Sequence, residues 1–201
     1  MTVEAPLWAS DRFVELLTAL GYEYVAFNPG ASFRGLHDSL ANVPGAPRII
    51  TTTHEEIAVA IAHGYAKAAG RPMAAALHNI VGLQHASMAI FNAFCDEAPV
   101  MLIGGTGPVD AAHRRPFIDW VHTALVQGTQ VRDYVRWDDQ PASYEAAIES
   151  LIRADRIARA EPPGPVYVCI DTEIAEAEVD PKASLPALAE HARDLREHAG
   201  P

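Results

Sequence analysis

The 201 residues are 49% hydrophobic and 20% charged, a balance that excludes a disordered chain and fits one globular domain with a substantial core. The net charge of −11 argues against nucleic acid and against anionic membrane surfaces, both of which repel an acidic protein. No run approaches the roughly 18 uninterrupted apolar residues of a membrane span, and Met1-Thr2-Val3-Glu4 lacks the basic start and apolar run of a secretion signal.

Helix and strand patterns alternate steadily. Ser10 or Asp11 is positioned to cap a helix through Leu20, which Gly21 ends. Tyr22 to Phe27 reads as a strand, broken by Asn28-Pro29-Gly30, and a second helix is expected from about Ser32 to Ala41. The β-branched Arg48–Thr52 run is a second strand. A helix opening at His54-Glu55 and closed by Gly70 follows; after its two glutamates it is apolar all round, so it is expected to lie inside the protein. Pro72–Leu77 is a third strand, Gly82–Cys95 a third helix and Val100–Ile103 a fourth strand. Residues 104–142 are less regular: a turn cluster at Gly104–Pro108, a loop over Arg114–Trp120, a short helix over Val121–Gln127 and an extended segment over Val131–Trp137. Ser143–Ala160 carries Ile148, Leu151, Ile152 and Ile157 at helical spacing, and Pro165–Ile170 is a final buried strand. Residues 1–172 therefore form the domain, and 173–201 are an Ala-, Glu- and Pro-rich tail with one marginal helix.

Short, continuously apolar strands between helices predict a three-layer αβα fold around a mainly parallel sheet of about six strands. Ligands of such sheets bind at the carboxyl ends of the strands. The special residues fall there: Asn28-Pro29-Gly30 after the first strand, Glu55 after the second, His78-Asn79 after the third, Gly104-Gly105 after the fourth. A carboxylate leading an apolar helix meets two opposed effects, burial disfavouring its charge and the helix dipole favouring it, a balance suited to proton handling. The competing reading is a solvated helix N-terminus, where Glu is common. His78 can move protons near neutral pH, with Gly82 allowing close backbone approach, although a structural histidine is the commoner case. His63 and His85 read as satisfied polar neighbours on helices.

Other chemistries fail on the motifs. Gly104-Gly105-Thr106-Gly107 lacks the Gly-Lys-Ser/Thr ending of a phosphate loop, and neither a dinucleotide fingerprint nor a Gly-x-Ser-x-Gly elbow is present. No metal-ligand spacing occurs, since His54-Glu55 has no second histidine four residues on. Cys95 and Cys169, the only cysteines, lie in apolar contexts and are expected as two buried thiols of a cytoplasmic protein.

Taken in order, Asn28-Pro29-Gly30, His54-Glu55 with Gly64-Tyr65-Ala66, Leu77-His78 with Gly82 and Asn92-Ala93, Ala98-Pro99-Val100 with Gly104, and Gly164-Pro165-Val166-Tyr167-Val168 resemble the N-terminal pyrimidine-binding domain of thiamine-diphosphate enzymes. The closest group is the acetolactate synthase and benzoylformate decarboxylase family, and the likeness spans about residues 10–172. The resemblance implies that the glutamate matching Glu55 hydrogen-bonds a ring nitrogen of the cofactor's aminopyrimidine, favouring the tautomer that removes the thiazolium proton. It implies that Asn28, Pro29, Gly30 and Gly82 line the cofactor and that His78 transfers a proton beside the substrate, a 2-oxo acid or 2-hydroxyacyl compound. Ala31, Asn79 and Gln127 would border the substrate; Ala31 departs from the serine of benzoylformate decarboxylase.

The family's diphosphate-binding domain is marked by Gly-Asp-Gly and holds Mg2+, and that motif does not occur here. The resemblance therefore implies one subunit of a split hetero-oligomer, whose partner holds the metal and the diphosphate, with no metal ligands in this chain. A scaffold or regulatory subunit without catalysis is the alternative.

Overall fold

The computed structural model describes residues 7–115, 119 and 121–180. Most of the 114–120 loop and all of the tail after 180, with its marginal helix, lie outside the described residues. Six strands form one sheet: β1 Tyr24–Phe27, β2 Arg48–Thr51, β3 Met73–Leu77, β4 Val100–Thr106, β5 Trp137–Asp139 and β6 Val166–Asp171. Their order is β2-β1-β3-β4-β6-β5, and every adjacent pair is parallel. The helices are α1 Ala9–Ala19, α2 Arg34–Asn42, α3 Glu55–Ala69, α4 Asn79–Cys95, α5 Tyr144–Arg159 and the single turn α6 Thr172–Ala175.

The helices divide between the two faces of the sheet, as the apolar strands require. On one face Phe13, Leu16 and Leu17 of α1, Leu36 and Leu40 of α2, and Leu151 of α5 pack with Val25, Met101 and Val168. On the other, Ala58, Val59 and Ala62 of α3 and Leu83 and Ile90 of α4 pack with Ala75, Leu77, Leu102 and Tyr167. The small residues of α3 and of Ala74-Ala75-Ala76 leave room for close helix–sheet contact. Gly70, at φ 66°, ends α3 in the left-handed conformation that glycine adopts without strain.

The expected three-layer parallel fold is the one observed, and the element boundaries shift by a few residues. The α1 cap is Trp8, with Asp11 Oδ2 reaching back to accept the Trp8 N–H at 2.9 Å. Neither predicted feature between 121 and 137 holds. No helix spans Val121–Gln127; instead a 3-10 turn covers Gln127–Gln130 and another Arg132–Tyr134, and β5 starts only at Trp137. Val131 and Val135 are buried at the spacing of a turn, which folds this stretch under α4 rather than extending it. The strand then uses Asp138 and Asp139, whose charges are met by Arg132 (2.8 and 2.7 Å) and by the Ser150 hydroxyl.

Two expectations about burial also change. Helix α3 buries Ala58, Val59, Ala62 and Ala66 but leaves Ile57 45% exposed, so it is covered on one side only. Cys169 is buried, and burial pushes its thiol up to about 12; Cys95, at the end of α4, is exposed. Among the described residues no helix is long and apolar enough to cross a membrane.

A buried polar contact ties the start of the domain to α5. The Tyr22 hydroxyl donates to Asp155 Oδ1 at 2.8 Å, and Arg159 Nε donates to the same oxygen at 2.9 Å. Burial and the neighbouring Asp155 charge hold the Tyr22 phenol well above its ordinary range. Tyr22→Phe leaves a buried carboxylate short of one donor and is expected to cost about 1–3 kcal/mol. Urea denaturation checks this, with a lower midpoint and an unchanged slope expected.

A candidate active site at the switch point of the sheet

From β1 the chain crosses outward to β2, then returns past β1 to β3, so the strand order reverses between β1 and β3. This is the crevice where parallel α/β sheets bind ligands. Three connections meet there: Asn28-Pro29-Gly30 leaves β1, Thr52-Thr53-His54 leads from β2 into α3, and His78 joins β3 to α4. The short apolar strands stop just before these polar residues, and each following helix starts on them. His54 is the N-cap of α3, its Nδ1 accepting the Glu56 N–H at 3.2 Å.

Glu55, the first residue of α3, points inward and is 4% exposed. Asn28 Nδ2 donates to its Oε1 at 3.3 Å. A Cβ at Gly82 would lie 3.1 Å from Glu55 Cγ and Oε1 and 3.1 Å from His78 Cβ, so any larger residue there would press on both side chains. Gly30 does the same for the histidine: a Cβ there would sit 3.0 Å from His78 Cγ. The structure thus brings together Asn28, Gly30, Glu55, His78 and Gly82. Pro29 and Ala31 are exposed on the turn beside them.

Ser32, expected from the sequence only as the start of the second helix, is the hydrogen-bond partner of His78. Its Oγ lies 2.6 Å from His78 Nδ1 and accepts the Asn79 N–H at 3.3 Å. The hydroxyl and Nδ1 share one short hydrogen bond, whose donor follows the tautomer of His78. Burial, and next the neighbouring His122, lower the affinity of His78 for a second proton, outweighing the nearby Glu55 carboxylate. His122 meets the His78 ring edge-on at 5.5 Å. It was not singled out in the sequence because it lies in an irregular segment far along the chain, held to α4 by the Ile80 N–H donating to its carbonyl.

The remaining sites separate. Asn79 is buried, with Nδ2 3.5 Å from Thr123 Oγ1 and Oδ1 without a partner among the described residues. Gln127 is fully enclosed, its Nε2 donating to the Gly105 carbonyl at 3.0 Å and lying 3.2 Å from both the Tyr167 hydroxyl and Cys169 Sγ. It braces the sheet from within and is not open to a ligand. The glycines of β4 serve packing: a Cβ at Gly104 would strike the Tyr167 ring and one at Gly105 the Ser32 carbonyl. His63 pairs with Asp96 at 3.0 Å, as expected of a helix-surface histidine. His85 does not stay a bystander. Its ring stacks on His54 at 4.7 Å, and its Nδ1 is 3.8 Å from Glu55 Oε2.

The depressed proton affinity of His78 gives a signed expectation. Its contribution to stability is complete above the ordinary histidine value of about 6.5 and is lost as pH falls through the lower folded-state value. Thermal unfolding should therefore show wild type losing more stability than His78→Gln between pH 7.5 and 5, and equal losses would contradict the assignment. Ser32→Ala, which removes the Nδ1 partner, should change the tautomer balance seen in imidazole nitrogen NMR shifts.

The family model described as "Thiamine pyrophosphate enzyme, N-terminal TPP binding domain" matches residues 7–130. Among curated proteins, the acetolactate synthase large subunit of Lactococcus lactis is 26% identical over 194 residues, covering 92% of this chain and 32% of the relative. Benzoylformate decarboxylase of Pseudomonas aeruginosa is 27% identical over 156 residues, covering 78% and 28%. The chain thus spans about a third of the length of these relatives. Among solved structures, the benzoylformate decarboxylase of Polynucleobacter necessarius superposes with a TM-score of 0.74 at 23% identity, over 89% of this chain and 33% of that one. The 4-hydroxybenzoylformate decarboxylase of Rhodococcus jostii gives 0.76 at 24%, over 92% and 33%; both show the shared fold. With the parallel sheet, the match over residues 7–130 and these relatives, the chain belongs to the family of thiamine pyrophosphate enzyme N-terminal domains.

Proposed function

We propose that this chain supplies the pyrimidine side of a thiamine-diphosphate site in an enzyme that breaks or forms a C–C bond next to a carbonyl. The reaction class is decarboxylation of a 2-oxo acid, acyloin synthesis or 2-hydroxyacyl cleavage. The observation that carries this reading is the enclosed Glu55 carboxylate, held by Asn28 across the side-chain-free space at Gly82.

The residues present fit the cofactor. An aminopyrimidine is flat and offers ring nitrogens, and the hollow at Gly82 would be filled by a single Cβ. When bound, thiamine diphosphate supplies a thiazolium carbon able to attack a carbonyl. Glu55 would hydrogen-bond a pyrimidine ring nitrogen, in a setting where burial strengthens the bond. Asn28 fixes the orientation of the Glu55 carboxyl. Gly30 and Ser32 hold His78 with Nδ1 engaged, leaving Nε2 as the ring nitrogen available to a substrate oxygen or carbon. A His78 that is neutral near pH 7 is able to take a proton on its basic nitrogen and to return it. The buried, unpartnered Asn79 Oδ1 is assigned to the substrate side, with Ala31 on the rim.

The diphosphate and Mg2+ are read as the responsibility of a separate subunit, in a hetero-oligomer. What supports this is the exposure of large apolar side chains on α3 and α4: Ile57, Met88 and Phe91 are 45%, 58% and 43% exposed, which favours cover by another protein. The domain is taken as residues 1–172, with 173–201 as an appendage. The two unpaired thiols suit a cytoplasmic setting. A scaffold that has lost catalysis needs neither the inward carboxylate nor the Ser32–His78 pair.

Glu55→Gln is expected to lower turnover by at least about 100-fold when the assembled enzyme is assayed on 2-oxo acids, the low end for a general acid–base group, while circular dichroism stays unchanged. Calorimetry on this chain alone should show little thiamine-diphosphate binding, and tight binding would contradict the shared site.

A further inference from the structure

Beside the inward carboxylate lies an arrangement that its assigned role does not use. His54, Glu55 and His85 each offer a ligand atom, and these atoms all lie within 4.8 Å of one another. Glu55 Oε2 and His85 Nδ1 are 3.8 Å apart, and the two imidazoles stack at 4.7 Å with planes 13° apart. No such set is visible in the sequence, because the second histidine arrives from α4. A tetrahedral ion with nitrogen and oxygen ligands at about 2.0–2.2 Å needs those atoms about 3.3 Å apart. The His85 side chain is 59% exposed and free to swing through the remaining distance.

We propose that His54, Glu55 and His85 form a binding site for a divalent transition ion of the Zn2+ class. Two imidazoles and one carboxylate select such an ion over Mg2+, which prefers an all-oxygen shell. Three protein ligands leave one outward position for water. The three do not contribute equally. His54 Nδ1 accepts the Glu56 N–H and caps α3. An ion on Nδ1 takes that lone pair, and an ion on Nε2 drives the ring proton onto Nδ1, facing the Glu56 N–H. Either way the cap bond is lost, so His54 is the weakest ligand and Glu55 and His85 are decisive. The site itself stands apart from the cofactor reading. Its consequence rests on that reading: an ion held here occupies Glu55 and excludes the pyrimidine.

The test is calorimetric titration of the tag-free chain with ZnCl2, without cofactor or substrate. One saturable equivalent is expected, unaffected by millimolar MgCl2. His85→Asn and Glu55→Gln should each weaken it by at least about tenfold, the low end of what loss of even an outer hydrogen-bond partner does to a metal site. His54→Asn, which keeps a good cap, should weaken it less. Asp96→Asn, which dismantles the His63–Asp96 pair elsewhere on the surface, should leave it unchanged. Absence of a saturable equivalent, unaltered affinity in His85→Asn, or loss of binding in Asp96→Asn would each overturn the proposal. Failure here leaves the cofactor role of Glu55 intact, and full turnover by Glu55→Gln would leave the metal site intact.

Discussion

A carboxylate faces the interior at the first turn of α3 because residue 82 carries no side chain. The first turn of a helix ordinarily offers its acidic residues to water, where they meet the positive end of the dipole. Here α4 passes so close that any Cβ at position 82 would press on Glu55 and on His78 together. One missing carbon therefore lets two proton-active groups share a wall, and the other contacts of the site follow from it. Asn28 reaches Glu55 from the β1 loop, and Ser32 reaches His78 from the turn after it.

The electrostatics of this wall are asymmetric. Glu55 is met by an amide and, farther off, by a half-exposed imidazole, with no Lys or Arg bridge to it among the described residues. His78 is held neutral by burial and by a second histidine at its edge. A site without strong ion pairs leaves its protons free to move. Contrast Asp155, which is fully buried but locked between a tyrosine and an arginine; that carboxylate fastens the fold and has no freedom to do anything else.

Much of this was legible in the sequence, for identifiable reasons. Apolar strands ending on Asn28, Thr52 and His78 announced both the sheet and the edge where its special residues gather. Ser32 and His122 escaped notice because their importance lies in contacts between distant segments: the Ser32 hydroxyl matters only once β1 and β3 are neighbours. His85 was dismissed as a helix-surface histidine, which its exposure supports; its place beside Glu55 depends on how α3 and α4 cross. The stretch from 121 to 137 was misread because Val131, Tyr134 and Val135 follow a turn-like spacing that a β-branched composition disguises. Gln127 looked like a ligand-facing amide and proves to be an internal brace beneath Gly105.

The two outermost strands bear on how the molecule meets others. β2 presents an exposed Arg48 and Thr51 at one border, and β5, three residues long, carries paired aspartates at the other. Charged, abbreviated borders discourage a foreign chain from zipping onto the backbone. Lateral polymerisation is thereby disfavoured at both margins.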